Sequence, residues 1–139
     1  MATAREVVLE ARPEDIDVLQ DVVADLWESE PGVADTERMR FEMALVEIFT
    51  NVVEHSERAQ HGPPRRRVAV TLTVDDDRVQ AVLVDDGRPA AVDLSSVTMP
   101  DADATSGRGL ALAISAVDDV SYERDGDRNR WTVTCRRGS

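Results

Sequence analysis

The sequence of 139 residues contains no lysine, and all 16 of its Lys and Arg positions are arginine. Lysine forms Schiff bases with carbonyl substrates, and it reaches the phosphates in a Walker-type phosphate loop. Its absence excludes both chemistries. A nucleotide bound by this chain must therefore be held by other groups.

Cysteine and long apolar runs are also scarce. The single Cys135 cannot form an internal disulfide, which is typical of a protein in the reducing cytoplasm. No run approaches the roughly 18 uncharged apolar residues of a membrane span, and the first residues lack the basic-then-apolar pattern of a signal peptide. We therefore expect a cytoplasmic protein with no membrane segment.

Basic residues are outnumbered by acidic ones, 16 to 28, so the formal net charge is −12. Phosphate backbones are bound by basic surfaces, so direct nucleic-acid binding is not expected. The acidity suits solubility, or contact with basic protein surfaces. The length predicts one domain spanning residues 1–139, with no internal repeat or linker.

Apolar periodicity and turn residues predict the order of the elements. The predicted elements are strand 5–10, helix 13–28, helix 35–58, strands 67–74 and 78–84, helix 107–117, and strands 120–124 and 130–136. Asp35 or Thr36 is the predicted cap of the second helix. Residues 88–106 lack periodicity, and a loop of this length in a compact domain is usually functional.

The two predicted hairpins favour a mixed, mostly antiparallel sheet. With the helices on one face, the fold class is α+β, a two-layer α/β sandwich.

The most informative pattern in the chain is a polar stripe on the second helix. Glu47, Asn51 and His55 are four residues apart, so each lies about 40° around the helix from the one before. Apolar residues flank the stripe: Ala44, Ile48 and Val52 on one side, and Met43, Val46 and Phe49 on the other. An unpaired buried carboxylate costs several kcal/mol. The stripe is therefore expected to face a cation, a polar ligand or water.

Two further signals flank the long loop. Asp85-Asp-Gly87 ends a strand, where a carboxylate can accept a hydrogen bond from an amino group; alone, this pattern is most often a turn. Gly107-Arg-Gly-Leu110 begins a helix, where exposed N–H groups suit phosphate; alone, it is more often a flexible helix start.

No arrangement of serine, histidine and acid suggests a nucleophile. His55 and His61 lack a second ligand pattern, so a zinc site is not expected.

Taken in order, these signals resemble the GHKL ATP-binding (Bergerat) fold, the group that includes gyrase B, Hsp90, histidine kinases and MutL. The short form, with Val84-Asp-Asp-Gly87 and Gly107-Arg-Gly-Leu-Ala-Leu112, is similar to bacterial anti-sigma factor serine/threonine kinases. The resemblance covers nearly the whole chain. It implies ATP and Mg²⁺ as cofactors.

The resemblance also implies roles for the stripe on the second helix. Glu47 would be the general base that orients or deprotonates the attacking hydroxyl. Asn51 would coordinate Mg²⁺, which bridges the ATP phosphates. His55 would lie near the phosphates or support the site.

The remaining implied roles concern the nucleotide. Asp85 would bond the adenine amino group, Gly87 would line the base pocket, and Thr132 would assist Asp85 through water. The phosphates would be cradled by Gly107, Arg108, Gly109 and Leu110. The chain departs from the family pattern in two places. Pro89 stands in the first glycine motif, and Thr105-Ser106 stands where relatives have a basic residue.

The function implied is that of an anti-sigma factor that binds a sigma factor and phosphorylates a serine of an anti-anti-sigma (STAS-domain) partner. By the same resemblance, it would act as a homodimer through the first strand and helix. The alternative is a nucleotide-sensing partner-switch module that transfers no phosphate. The ATPase half of a histidine kinase is disfavoured, because no helical segment with a phospho-accepting histidine precedes the predicted domain.

Overall fold

The elements of the fold follow the predicted order closely. The computed structural model describes residues 2–58, 67–87 and 108–138, and of residues 55–58 and 108–110 the backbone alone. Its elements are β1 (Thr3–Glu10), α1 (Asp15–Ser29), α2 (Asp35–Arg58), β2 (Arg67–Val74), β3 (Arg78–Asp85), α3 (Arg108–Ala116), β4 (Asp119–Asp125) and β5 (Arg128–Arg136). Predicted and observed ends differ by no more than two residues.

The five strands form one sheet in the order β1-β2-β3-β5-β4. Each neighbouring pair in it is antiparallel. The β4–β5 hairpin turns at Gly126, whose φ of 61° is a left-handed conformation that glycine adopts without steric cost. The predicted two-layer α+β sandwich is confirmed, and the described part of its sheet is antiparallel throughout.

The helices cover one face of this sheet, which we call the covered face. Alternate residues of each strand point to it because side chains alternate along a strand. Its buried apolar side chains are Leu9, Val68, Val70, Leu72, Val74, Val79, Ala81, Leu83, Trp131, Val133 and Cys135. The other face, which we call the open face, carries residues such as Glu6, Thr71 and Thr132.

The helical layer is built around α2. This helix packs against α1, α3, β3 and β5. Its fully buried side chains include Phe41, Leu45, Ile48 and Phe49. Within the described residues, no helix is both long and apolar enough to cross a membrane.

The start of α2 differs from the prediction, because neither Asp35 nor Thr36 is its cap. The first bond of the helix runs from the N–H of Arg38 to the carbonyl of Ala34, which places Ala34 at the cap position. Alanine has no side-chain acceptor, and the carboxylate of Glu37 accepts the hydrogen bond from the N–H of Ala34 instead, at 3.1 Å. In a capping box, the side chain of the cap residue and that of the residue three positions later each accept a backbone N–H. Here only the second of these hydrogen bonds, to Glu37, is present.

Candidate nucleotide site

The polar stripe of α2 lies at the edge of the buried face of the helix. Glu47 and Asn51 are both half-buried. On one side they adjoin Ala44 and Ile48, which are fully buried. On the other side Met43 is 42% exposed. Phe49 on that side is fully buried. The second flank is therefore mixed, with one exposed and one buried apolar residue, and the stripe lies at the boundary between core and solvent.

A groove between α1 and α2 reaches this stripe from its exposed side. It has a volume of about 520 Å³ and is lined by Gln20, Trp27, Asp35, Arg38, Met39, Glu42, Met43, Val46 and Glu47. Two of its methionines are exposed, Met39 by 66% and Met43 by 42%. Glu47 is thus accessible from the α1 side of the helix.

Asp85 ends β3 and points to the covered face. It continues the buried row of Val79, Ala81 and Leu83, and only 7% of it is exposed. Its Oδ1 accepts hydrogen bonds from the backbone N–H of Gly87 at 2.8 Å and from the side-chain amide of Asn129 at 2.9 Å. The carboxylate therefore has a fixed orientation in a nearly buried position.

Gly87 fits closely against this carboxylate. A Cβ atom at Gly87 would lie 2.9 Å from Oδ1 of Asp85, closer than real Cβ contacts allow. A side chain at this position would push the carboxylate out of its hydrogen bonds, because the backbone turns directly over the aspartate. The Asp-x-Gly sequence therefore forms a structured turn, and the same turn presents the carboxylate of Asp85.

Asn129 is a site residue that the sequence analysis did not single out. It lies opposite Asp85 in the β3–β5 ladder and is 1% exposed. Its row along β5 is otherwise apolar, with Trp131, Val133 and Cys135. A buried polar residue in an apolar alternation needs hydrogen-bond partners, and that was the available signal.

Thr132 does not lie near Asp85 as predicted. It pairs with Val82 in the β3–β5 ladder and so points to the open face, whereas Asp85 points to the covered face. The error is one of strand register, since positions an odd number of residues apart occupy opposite faces. Asn129 takes the place beside Asp85 that was assigned to Thr132.

The other predicted residues belong to α2, α3 and the segment between β3 and α3. His55 lies in the last part of α2, and Arg108, Gly109 and Leu110 form the first turn of α3. Gly107 and the predicted loop of residues 88–106 lie outside the described residues. Because α3 packs against α2, the helix carrying the stripe and the helix beginning with the glycine motif are neighbours.

The side chains of the described residues suit a metal ion that binds together with the nucleotide. Within the described residues, no cluster of three or more His, Cys, Asp or Glu side chains could hold a metal ion. A Mg²⁺ ion accepts few protein ligands and completes its octahedron with phosphate and water oxygens. A half-buried amide such as that of Asn51 fits this requirement.

Comparisons with known proteins agree with this fold. The model of the family described as histidine kinase-like ATPase domain matches residues 9–135. No curated protein matches the sequence significantly. Among solved structures, that of the RsbU and RsbW domains of Rv1364c from Mycobacterium tuberculosis is similar, with a TM-score of 0.68 at 18% identity, over 97% of this chain and 32% of that one. The chain thus spans about a third of the length of that solved chain. It belongs to the histidine kinase-like ATPase domain family, with the GHKL fold.

Proposed function

We propose that this protein binds Mg²⁺-ATP and transfers the γ-phosphoryl group to a serine of a partner protein. The observation that carries the proposal is the fixed carboxylate of Asp85, nearly buried at the end of β3 on the face that the helices cover. A carboxylate held in this way accepts a hydrogen bond from the amino group of adenine. Membership of an ATPase family supports the same ligand.

The phosphate end of the nucleotide belongs, in this proposal, between α2 and α3. Phosphoryl transfer depends mainly on positioning and on neutralising the developing charge. The amide oxygen of Asn51 would hold Mg²⁺, which would neutralise negative charge on the phosphates. His55 and the residues from Gly107 to Leu110 would surround the phosphates, since the N–H groups at the start of a helix attract anions.

Glu47 would orient the serine hydroxyl and accept its proton. A general base must lie within hydrogen-bond reach of the proton that it accepts. Glu47 is half-buried and borders the groove between α1 and α2. We place the acceptor serine at the Glu47 end of that groove, where the exposed Met39 and Met43 offer apolar contact to a protein surface.

The proposed partners are supported by the resemblance to anti-sigma factor kinases and by the likeness to a structure that contains an RsbW domain. We propose an anti-sigma factor that holds a sigma factor inactive and phosphorylates a STAS-type anti-anti-sigma protein, as a cytoplasmic homodimer. The net charge of −12 suits a basic surface on one of the partners. Helix α1, which contains acidic but no basic residues, contributes to that charge.

Phosphate transfer to a candidate STAS-domain protein in the presence of Mg²⁺-ATP tests the proposal. Glu47→Gln should abolish most of the transfer and leave ATP binding intact. The matched control is Glu54→Gln, an exposed acid on the same helix, which should transfer phosphate at the normal rate. Transfer that is unchanged in Glu47→Gln would remove Glu47 as the base.

Metal dependence provides a second, independent measurement. ATP affinity of the unaltered protein should rise when Mg²⁺ is added, and Asn51→Ala should lose this dependence. An unaltered response to Mg²⁺ in the variant would contradict the role of Asn51. Tight ATP binding with no phosphorylated product from any partner would favour the alternative, a nucleotide-sensing module that switches partners without catalysis.

A further inference from the structure

Arg124, Asn129 and Asp85 lie side by side across three strands. Asp85 of β3 pairs with Asn129 of β5, and Asn129 pairs with Arg124 of β4. Directly paired residues point to the same face of a sheet. The three side chains therefore form a polar row on the covered face, next to the apolar row that contains Trp131 and Leu83.

The amide of Asn129 has a defined orientation in this row. Its Oδ1 accepts hydrogen bonds from the hydroxyl of Tyr122 and, at 3.1 Å, from the guanidinium of Arg124. Both of these groups are donors there, so the oxygen of the amide must face them. The nitrogen is left to face Asp85, and it donates to Oδ1 at 2.9 Å.

Arg124 also holds the turn that follows β3. The same guanidinium nitrogen donates to the backbone carbonyl of Gly87 at 2.6 Å. The N–H of Gly87 in turn donates to Oδ1 of Asp85. Arg124 thus acts on the carboxylate by two routes, one through Asn129 and one through Gly87.

The backbone N–H of Gly87 and the side-chain amide of Asn129 both donate to the same oxygen of Asp85. With Oδ1 occupied by Gly87 and Asn129, the carboxylate cannot rotate freely, and Oδ2 becomes the oxygen available to a ligand. An ionised carboxylate is an acceptor only. Its second oxygen is therefore suited to a ligand N–H and unsuited to a ligand carbonyl.

We propose that Asn129 is a positioning residue that, together with Tyr122 and Arg124, fixes Asp85 so that Oδ2 selects purines with an amino group at position 6. The inference rests on the proposed ATP binding and adds the origin of base specificity. Without the donors to its Oδ1, the Asn129 amide could turn over and present its oxygen to Asp85. Two acceptors would then face each other, and the carboxylate would lose its orientation.

The test compares the dissociation constants of ATP and of purine riboside triphosphate, which lacks the 6-amino group, for the full chain with Mg²⁺. A buried hydrogen bond to a charged group predicts that the unaltered protein prefers ATP by about tenfold to a hundredfold. Asn129→Leu should reduce this preference severalfold or more. Tyr122→Phe, which removes only the hydroxyl, should reduce it in the same direction.

Arg130→Ala is the matched control, since Arg130 follows Asn129 on β5, is exposed and points to the open face. Its preference for ATP should equal that of the unaltered protein. A purely structural role of Asn129 would weaken both nucleotides equally and leave their ratio unchanged. That result in a folded Asn129→Leu protein, or in Tyr122→Phe if the leucine variant does not fold, would overturn the inference while ATP binding stands. Failure of the unaltered protein to bind ATP at all would overturn the proposed function and this inference together.

Discussion

Glu37, in the first turn of α2, accepts a hydrogen bond of 2.8 Å from the backbone N–H of Gly138, just beyond the end of β5. The other oxygen of the same carboxylate accepts from the N–H of Ala34, at the start of α2. Glu37 is only 6% exposed. One buried side chain thus joins the start of the central helix to the end of the sheet's fourth strand in spatial order.

Glu37→Ala should lower the free energy of unfolding by about 1–3 kcal/mol, because two backbone donors lose their acceptor in a buried place. Glu37→Gln keeps one acceptor oxygen and should cost less. Urea denaturation of the two variants measures the difference. Equal stability of Glu37→Ala and the unaltered protein would contradict this account. Glu54→Ala, an exposed acid further along α2, serves as the control.

Gly87→Ala should weaken ATP binding by about tenfold or more. The added Cβ would lie 2.9 Å from Oδ1 of Asp85 and would displace the carboxylate from the position in which Asn129 holds it. Displacing the carboxylate loses a hydrogen bond to a charged group, which corresponds to this factor. Calorimetric titration with Mg²⁺-ATP provides the measurement.

The control for this prediction is Gly32→Ala, where the new Cβ would meet only the guanidinium end of Arg137, at 3.3 Å. That variant should bind ATP normally. Normal binding by a folded Gly87→Ala protein would show that the fit against Asp85 is not needed.

Asp75 should contribute to stability in a pH-dependent way. Hydrogen bonds from the backbone N–H groups of Asp77 and Arg78 lower the pKa of Asp75 from its ordinary value of 3.8. A pKa that is lower in the folded state stabilises the fold above the unfolded value, and the contribution disappears as the pH falls through the folded value. The stability difference between the unaltered protein and Asp75→Ala should therefore be full at pH 6 and shrink below about pH 4.

Chemical denaturation from pH 6 to pH 2.5 measures that difference, with Asp76→Ala from the same turn as the control. The carboxylate of Asp75 accepts both N–H groups of the turn, so its variant should show the stronger pH dependence. A stability difference that stays constant across this range would contradict the assignment.

Cys135 should resist thiol reagents in the folded protein. It is fully buried, and burial raises the pKa of its thiol above the ordinary value of 9.0. The thiolate is the reactive form, so a buried thiol at pH 8 reacts only when the structure opens. Labelling with Ellman's reagent should be slower in buffer than in 6 M urea by about an order of magnitude or more. Equal rates would show that β5 is accessible in the native state.

Local patterns predicted the elements because their signals lie within a few residues of one another. The alternation of Val68, Val70, Leu72 and Val74 marks a half-buried strand, and the four-residue spacing of Glu47 and Asn51 marks one side of a helix. The order of elements, the sandwich and the family followed from these patterns and from the resemblance. The position of Asp85 at a strand end also followed.

The pairing of distant strands could not be obtained in the same way. Placing Thr132 beside Asp85 required the register of β5 on β3, which depends on packing across the whole sheet. The partners of Asn129 could not be predicted for the same reason. Its hydrogen bonds to Tyr122, Arg124 and Asp85 form only when the three strands are in register. The exposure of Met43 could not be predicted either, because it depends on how α1 packs against α2.

The tight β4–β5 hairpin limits how this protein can change in evolution. Between Asp125 and Arg128, the turn at Gly126 holds only two residues, and its length decides which residue of β4 faces Asn129. An inserted residue that shifted the β4–β5 register by one would leave β5 aligned on β3 but would turn Arg124 and Tyr122 toward the opposite side of the sheet. Length changes in this turn that alter the register should therefore be counterselected.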